Sequence, residues 1–369
     1  MDNHCHAFVS IGDGDDVSTW RGFFSESREQ IMFEHAATMT SYQRIILSLA
    51  EFLGCEPEES VVLEARKKFG SRKMIGALLS DANIDRLLID RGFPPADEVI
   101  PDSEIGTVSD VRIESLLRLE PLMEEVLHTA ATLEDAKSAL AQRLTDVRGA
   151  GYVGLKSVAA YRSGLDLDVD ESPAAEGAFS EAKHTIETTG SYRLASRPLL
   201  GALLLVAFAC AHEQGLPLQF HVGYGDSDVD MLKSNPLNLR PLLESHLFDG
   251  MKVVLLHECY PYTREGAYLA AIYGNVYLDL SYGIPFLGFS ELLTCTAAAV
   301  AVAPASKLLY SSDGLGVPEL HWSSAKLGRK VLELVMRECV ERGEMSEDQG
   351  FAAGQGILQA NARRLYELA

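Results

Sequence analysis

The sequence predicts an α/β fold, a (β/α)8 barrel of the TIM type with a helical insertion after the first strand. Three observations carry that expectation. Eight short runs rich in Leu, Val and Ile alternate with longer stretches of helical periodicity. Such alternation builds parallel βαβ units, and eight of them suit a closed barrel. No G-x-G-x-x-G follows an early strand, which removes the main sign of a doubly wound open sheet. With 369 residues, 47% of them hydrophobic, the chain can also fill one large buried core.

The first strand candidate is residues 1–6, followed by a loop rich in Gly and Asp at 9–17. Helical spacing over 25–53 and 57–69 then delays the second strand by some eighty residues, so 11–75 is expected to be a helical insertion. No Pro/Gly/Ser-rich linker marks a boundary, and residues 1–369 are read as one domain. From there the rhythm is regular. A helix at 74–83 leads to a strand at 85–89, and a strand at 112–119 to a helix at 121–127 opened by Pro121, which suits a first helical turn. Helices at 133–149, 198–214, 241–248, 262–273 and 287–302 precede strands at 152–158, 217–221, 252–257, 276–280 and 307–311. A further helix covers 173–188, and two long helices at 318–342 and 346–368 close the chain. Only Met1, Asp2 and Asn3 precede His4, so the first strand is expected to be very short and prone to fraying, or the true start lies upstream.

Composition excludes several classes of function. A formal charge of −21 is unsuited to a nucleic-acid partner, whose phosphates call for a basic face. No basic segment followed by an apolar run opens the chain, and the most apolar stretch, 199–210, is too short to span a bilayer. Six cysteines lie far apart without a C-x-x-C pair, which reads as a cytoplasmic protein with reduced thiols.

Chemistry concentrates at the C-terminal ends of the predicted strands, where a parallel barrel builds its active site. Strand one ends in His4-Cys5-His6, which places both imidazoles on one face about 7 Å apart, close enough to share a divalent ion. Cys5 points the other way, into the core. Strand four carries Lys156, strand five ends in His221, strand six in His257, and strand eight runs out into Asp313. Three apolar strands each delivering one His or Asp at the same end are hard to reach by chance. Softer candidates surround them: Arg162 just past strand four, Tyr224 in the loop after His221, Arg118 and Glu120 at the end of strand three, placed for the barrel mouth or else an internal ion pair, and Asp226 and Asp228 as solvated loop acids. Glu319 and His321 read as structural, and His35, His128, His184, His212 and His246 as surface or packing residues on helices.

The order His-x-His, Lys, His, His, Asp on strands one, four, five, six and eight resembles the amidohydrolase superfamily of metal-dependent barrels, and its amidohydrolase-related branch in particular. The motifs Asp2-Asn3-His4-Cys5-His6, Gly154-Leu155-Lys156-Ser157 with Tyr161-Arg162-Ser163-Gly164, Phe220-His221-Val222-Gly223 and Asn361-Ala362-Arg363-Arg364-Leu365-Tyr366 look like the nodulin-type barrel that is fused ahead of glutamine synthetase in some proteins. The resemblance implies that His4, His6, His221 and Asp313 hold the metal and that Asp313 and His257 act in catalysis. It implies Lys156, Arg162 and Tyr224 for the substrate, with Lys156 a bridging ligand only if carboxylated between two ions. Zn is the expected metal, with Mn or Fe as alternatives and one or two ions. The ion would activate a water and polarise the scissile carbonyl. The implied activity is hydrolysis of a C–N bond in a small carboxylate-bearing substrate such as a γ-glutamyl amide. A decarboxylase of the same branch and a non-catalytic binding barrel are the alternatives, and a homodimer is the assembly the branch suggests.

Overall fold

A computed structural model describes residues 1–10 and 17–369. Eight strands form one parallel sheet in chain order: β1 (Asp2–Cys5), β2 (Arg86–Arg91), β3 (Arg112–Arg118), β4 (Tyr152–Ser157), β5 (Leu218–Phe220), β6 (Val253–Leu255), β7 (Val276–Ser281) and β8 (Leu308–Ser311). The ring is brought together where β1 meets the residues after β8. Asp313 N donates to His4 O (3.1 Å), His6 N to Gly314 O (2.8 Å), and Ser312 N to the Asp2 carboxylate (2.9 Å). All eight predicted strands are present, and the fold is the expected (β/α)8 barrel.

Between β1 and β2 run α1 (Val17–Gly22), α2 (Gln30–Ala36), α3 (Thr40–Leu53), α4 (Glu59–Phe69) and α5 (Ser71–Asp81). The remaining helices are α6 (Asp102–Ile105), α7 (Leu119–Thr129), α8 (Leu133–Arg143), α9 (Ala175–Thr189), α10 (Arg197–Glu213), α11 (Arg240–Leu243), α12 (Thr263–Ile272), α13 (Phe289–Val302), α14 (Pro318–Glu341), α15 (Glu347–Gln355) and α16 (Asn361–Tyr366). Part of the predicted 9–17 loop lies outside the described residues. No helix among the described residues is long and apolar enough to cross a membrane.

Three predicted helices are corrected. The span 25–53 is two helices, because Thr38 turns both its N–H and its hydroxyl onto His35 O and Met39 is extended (φ −74°, ψ 135°). Residues 241–248 hold only short turns, with the Ser245 hydroxyl capping a new one at Leu247. The span 346–368 is broken by a π turn at Gly356–Ala360, beside Asn361, whose amide donates to the carbonyls of Ala305 and Leu308. Glycine weakens the helix there and the asparagine anchors it to the barrel.

The main core lies between strands and outer helices and includes Cys5, as expected. Inside the barrel, a second apolar cluster of Met1, Leu88, Leu116, Val153, Val254, Leu256, Leu309, Ala362, Leu365 and Tyr366 seals the bottom. α16 therefore plugs the end of the barrel opposite the strand C-termini. β1 is short, as expected, but its start is tied down. Met1 is buried, its ammonium lies 3.3 Å from both Asp85 Oδ1 and Leu358 O, and His4 is fully buried.

Candidate metal centre

The strand ends bring His4, His6 and Asp313 together, with ligand-type atoms all within 4.8 Å of one another. His4 Nε2 lies 3.4 Å and His6 Nε2 3.6 Å from Asp313 Oδ1. The other carboxylate oxygen, Oδ2, receives the Tyr224 hydroxyl at 3.0 Å and sits 3.0 Å from His257 Nδ1. Lys156 Nζ is 3.4 Å from His4 Nε2. The His221 ring stands beside His257, with centroids 4.3 Å apart, and its Nε2 lies 2.6 Å from Tyr224 O, so Nδ1 is the nitrogen left with a free lone pair. Arg162 stands apart from this group, against Glu124 at 3.3 Å.

The loops that carry these groups are locally constrained. Asp313 (φ 50°) and His257 (φ 59°), with Glu258 and Cys259 after it, occupy left-handed backbone, sparsely populated without glycine and frequent at functional sites. Gly223, two residues past His221, has φ +79°, and a Cβ there would lie 2.2 Å from Tyr260 O. Only glycine lets the β5 and β6 loops close together at that point.

The imidazoles on β1 and just past its end are each oriented from behind. His4 Nδ1 is 2.8 Å from Gln219 Oε1, and His6 Nδ1 is 3.1 Å from Phe93 O. Each carbonyl fixes the tautomer that leaves the Nε2 lone pair free for a cation held beside Asp313, the outer-shell arrangement common to metal-ligating histidines. Gln219 is held in turn: its amide donates to Asn3 O (2.9 Å) and to the Tyr366 oxygen (2.7 Å). Asn3 reaches Asp279 (3.0 Å), which also accepts from Ser281 and Ser311.

Electrostatics prepare the group for a cation. Burial, with Lys156 nearby, lowers His4 to about 3, and burial likewise lowers His221 and His257, so these rings are neutral near pH 7. Burial works to raise the Asp313 carboxyl, but His257, His4 and His6 outweigh it and hold it well below the usual carboxylate range. Burial also brings Lys156 down to about 8 against the pull of Asp90. Asp313 Oδ1 and His257 Nε2 are buried without a hydrogen-bond partner. Neutral imidazoles around an anionic, unsatisfied carboxylate oxygen are the donor set a divalent ion takes, and the residues fit one.

Several neighbours differ from expectation or were not anticipated. Arg118 pairs with Asp90 on β2 through two nitrogens, not with Glu120, which accepts from Ser157 Oγ and Val158 N. Asp226 and Asp228 are loop acids in contact with solvent, as expected, and exposed Arg28 pairs with both, at 2.6 and 3.0 Å. That contact ties the segment after α1 to the loop after β5 and brings Glu26 among Asp313, Tyr161 and Tyr224. Burial, with Asp313 and Asp226, pushes the Glu26 carboxyl up to about 7. Gln219 was readable as His221's neighbour on the same strand face, and Asp279 as an acid inside an apolar strand; nothing in the sequence around Glu26 points to the site. Glu319 and His321 are buried and structural, Glu319 on Arg66 at 2.5 Å and His321 against Phe8 and the His6 carbonyl. His35, His128, His184, His212 and His246 are all exposed.

Comparison with known proteins agrees with this geometry. The sequence pattern described as Amidohydrolase matches residues 126–368, about two thirds of the chain. The protein fluG of Emericella nidulans is 36% identical over 223 residues, which is 58% of this chain and 26% of that protein. The chain thus spans about a quarter of that relative's length. A solved Lactobacillus casei structure, assigned to the metal-dependent hydrolases, superposes with a TM-score of 0.87 at 29% identity, covering 100% of this chain and 94% of that one. Uronate isomerase of Thermotoga maritima shares the fold, with a TM-score of 0.71 at 16% identity over 99% of this chain and 94% of its own. A chain with this barrel, these strand-end residues and this match belongs to the amidohydrolase family.

Proposed function

We propose that the protein is a metal-dependent hydrolase of C–N bonds, acting on a small amide with a carboxylate-bearing partner, a γ-glutamyl amide above all. The observation that carries the reading is the buried Asp313 carboxylate with its two oxygens divided. Oδ1 faces His4 and His6, while Oδ2 faces His257 and the Tyr224 hydroxyl. His4, His6 and Asp313 would hold the ion, with His221, whose ring stands beside His257, as a further ligand. An imidazole-rich set with one carboxylate suits Zn, with Mn or Fe as alternatives. When bound, the ion supplies Lewis acidity to a water and to the substrate carbonyl.

The chain's own residues do the rest. Asp313 takes the proton of the attacking water and passes it to the leaving nitrogen, with His257, 3.0 Å away, as the neighbour that shares or delivers it. Tyr224 keeps the carboxylate turned for that transfer. Lys156 meets the substrate carboxylate, and Glu26, near Tyr161 and Tyr224, meets its ammonium. Arg162 serves a more distant oxygen once Glu124 releases it. A carboxylated Lys156 bridging two ions is the second form of the same site. The relative described as a metal-dependent hydrolase supports hydrolysis over other chemistry.

Zn-reconstituted protein incubated with a panel of γ-glutamyl amides is expected to release amine. CO₂ release from aromatic carboxylic acids instead would replace the reading with a decarboxylase. Failure to take up stoichiometric metal would leave a non-catalytic binding barrel.

A further inference from the structure

Outside the barrel, where the helices before β2 meet α13 and α14, lies a cleft of about 360 Å³. Phe52 of α3, Trp322 of α14 and Phe289 of α13 line it, and so do three cations: Arg44, Lys326 and Lys330. The cations are unevenly partnered. Asp81 accepts from the Trp322 indole N–H (2.6 Å) and pairs with Lys326 (2.9 Å). Lys330 has no acid partner among the described residues; its ammonium sits 5.3 Å from the Phe289 ring centre. Arg44 is the anomaly. Its Nε is buried with no acceptor, and no acidic side chain offsets its burial. Two acids, Glu51 and Asp81, also line the cleft, yet neither pairs with Arg44, which has no acidic partner among the described residues.

We propose that this cleft is a binding site for a small organic oxyanion carried on a flat ring, an aromatic carboxylate or aryl phosphate. The guanidinium fork and the Lys330 ammonium take the anionic oxygens, a geometry that matches both chemistries. The partly exposed Phe52 and Phe289 rings that line the cleft take the ring of the ligand, with Trp322 packed edge-on against Phe52 at 5.8 Å. A volume of this size lies within the range of small-molecule sites. The site is separate from the metal centre and does not depend on the activity assigned there.

The test is titration of the metal-loaded protein with benzoate, phenyl phosphate, inorganic phosphate and neutral benzamide, read by calorimetry and by tryptophan fluorescence. Benzoate or phenyl phosphate should bind saturably and perturb the emission of Trp322, one of only two tryptophans in the chain. Which of the two binds more tightly distinguishes carboxylate from phosphate as the natural head group. Inorganic phosphate should bind more weakly and benzamide not measurably. Arg44→Met should weaken binding about tenfold or more, as loss of a charged hydrogen-bond partner does. Lys330→Gln, at an exposed position, carries the same test should R44M fail to fold. Absence of saturable binding at millimolar concentration, equal binding of benzamide, or affinity that survives both substitutions would each overturn the proposal, the last by placing the anion at the metal centre.

Discussion

Replacing Gln219 by Leu should detach His4 from its support while leaving every proposed metal ligand in place. Gln219 and His4 are fully buried, and the Oε1 to Nδ1 contact is 2.8 Å. Without that acceptor the imidazole loses the partner that fixes its tautomer and ring angle. Losses of this kind typically cost about 10–100-fold in metal affinity, or about 1.4–2.7 kcal/mol. The same substitution strips a donor from Asn3 O and from the Tyr366 oxygen, which should lower stability by about 1–3 kcal/mol. The two effects separate with Gln219→Glu, which keeps an acceptor toward His4. Chelator competition on metal-free protein gives the affinity and calorimetry the stability. Q219L binding metal as tightly as the wild type would refute the reasoning that the residue behind His4 shapes the site.

Four further outcomes are expected. Glu319→Gln leaves the buried Arg66 guanidinium unpaired under Trp20 and should cost about 3–5 kcal/mol, seen as a lowered melting temperature without loss of metal affinity. Asp313→Asn should lower the turnover of the metal-loaded enzyme by about 10²–10⁴-fold, the range for a lost proton-transfer group, and steady-state kinetics checks it. Gly283→Ala would place a Cβ 1.8 Å from Ser312 O, next to Asp313; overpacking of about 1–3 kcal/mol and reduced activity should follow together, by denaturant titration and assay. Glu26 contributes a pH dependence with a definite sign. Its carboxyl rises from 4.5 unfolded to about 7 folded, so its contribution is complete below 4.5 and is lost as the pH rises through about 7. In metal-free protein Glu26→Gln should therefore gain about 1–2 kcal/mol over wild type between mildly acidic and alkaline pH, after discounting for partial exposure. Parallel stability curves for the two proteins would contradict this.

The parts of the fold that were legible are those where one element alone decides. Parallel barrel strands are buried on both faces and read as apolar runs, so β5 and β6 stand out although each has only three residues, and His221 and His257 announce themselves just after them. Asp313 was legible for the same reason. What escaped depends on partners distant in the sequence. Arg118 could pair with Glu120 or with Asp90, and only the β2–β3 register puts Asp90 in reach. The break between α2 and α3 rests on one threonine's choice of acceptor. Glu26 is brought to the mouth by Arg28 reaching Asp226 and Asp228, a contact across some two hundred residues that no local pattern encodes.

The plug formed by α16 has a bearing on how the site comes into being. Tyr366 seals the barrel floor with its ring and, through its hydroxyl, holds Gln219 and Asn3 directly beneath His4. Ligands on and beside the first strand are thus steadied by a residue of the helix that follows all eight strands. A nascent chain displays His4 and His6 long before β5, β8 and α16 exist to position them. Metal affinity should therefore appear late and abruptly, as a readout of completed folding rather than a nucleus for it, because contacts this distant in sequence form only when the whole ring closes.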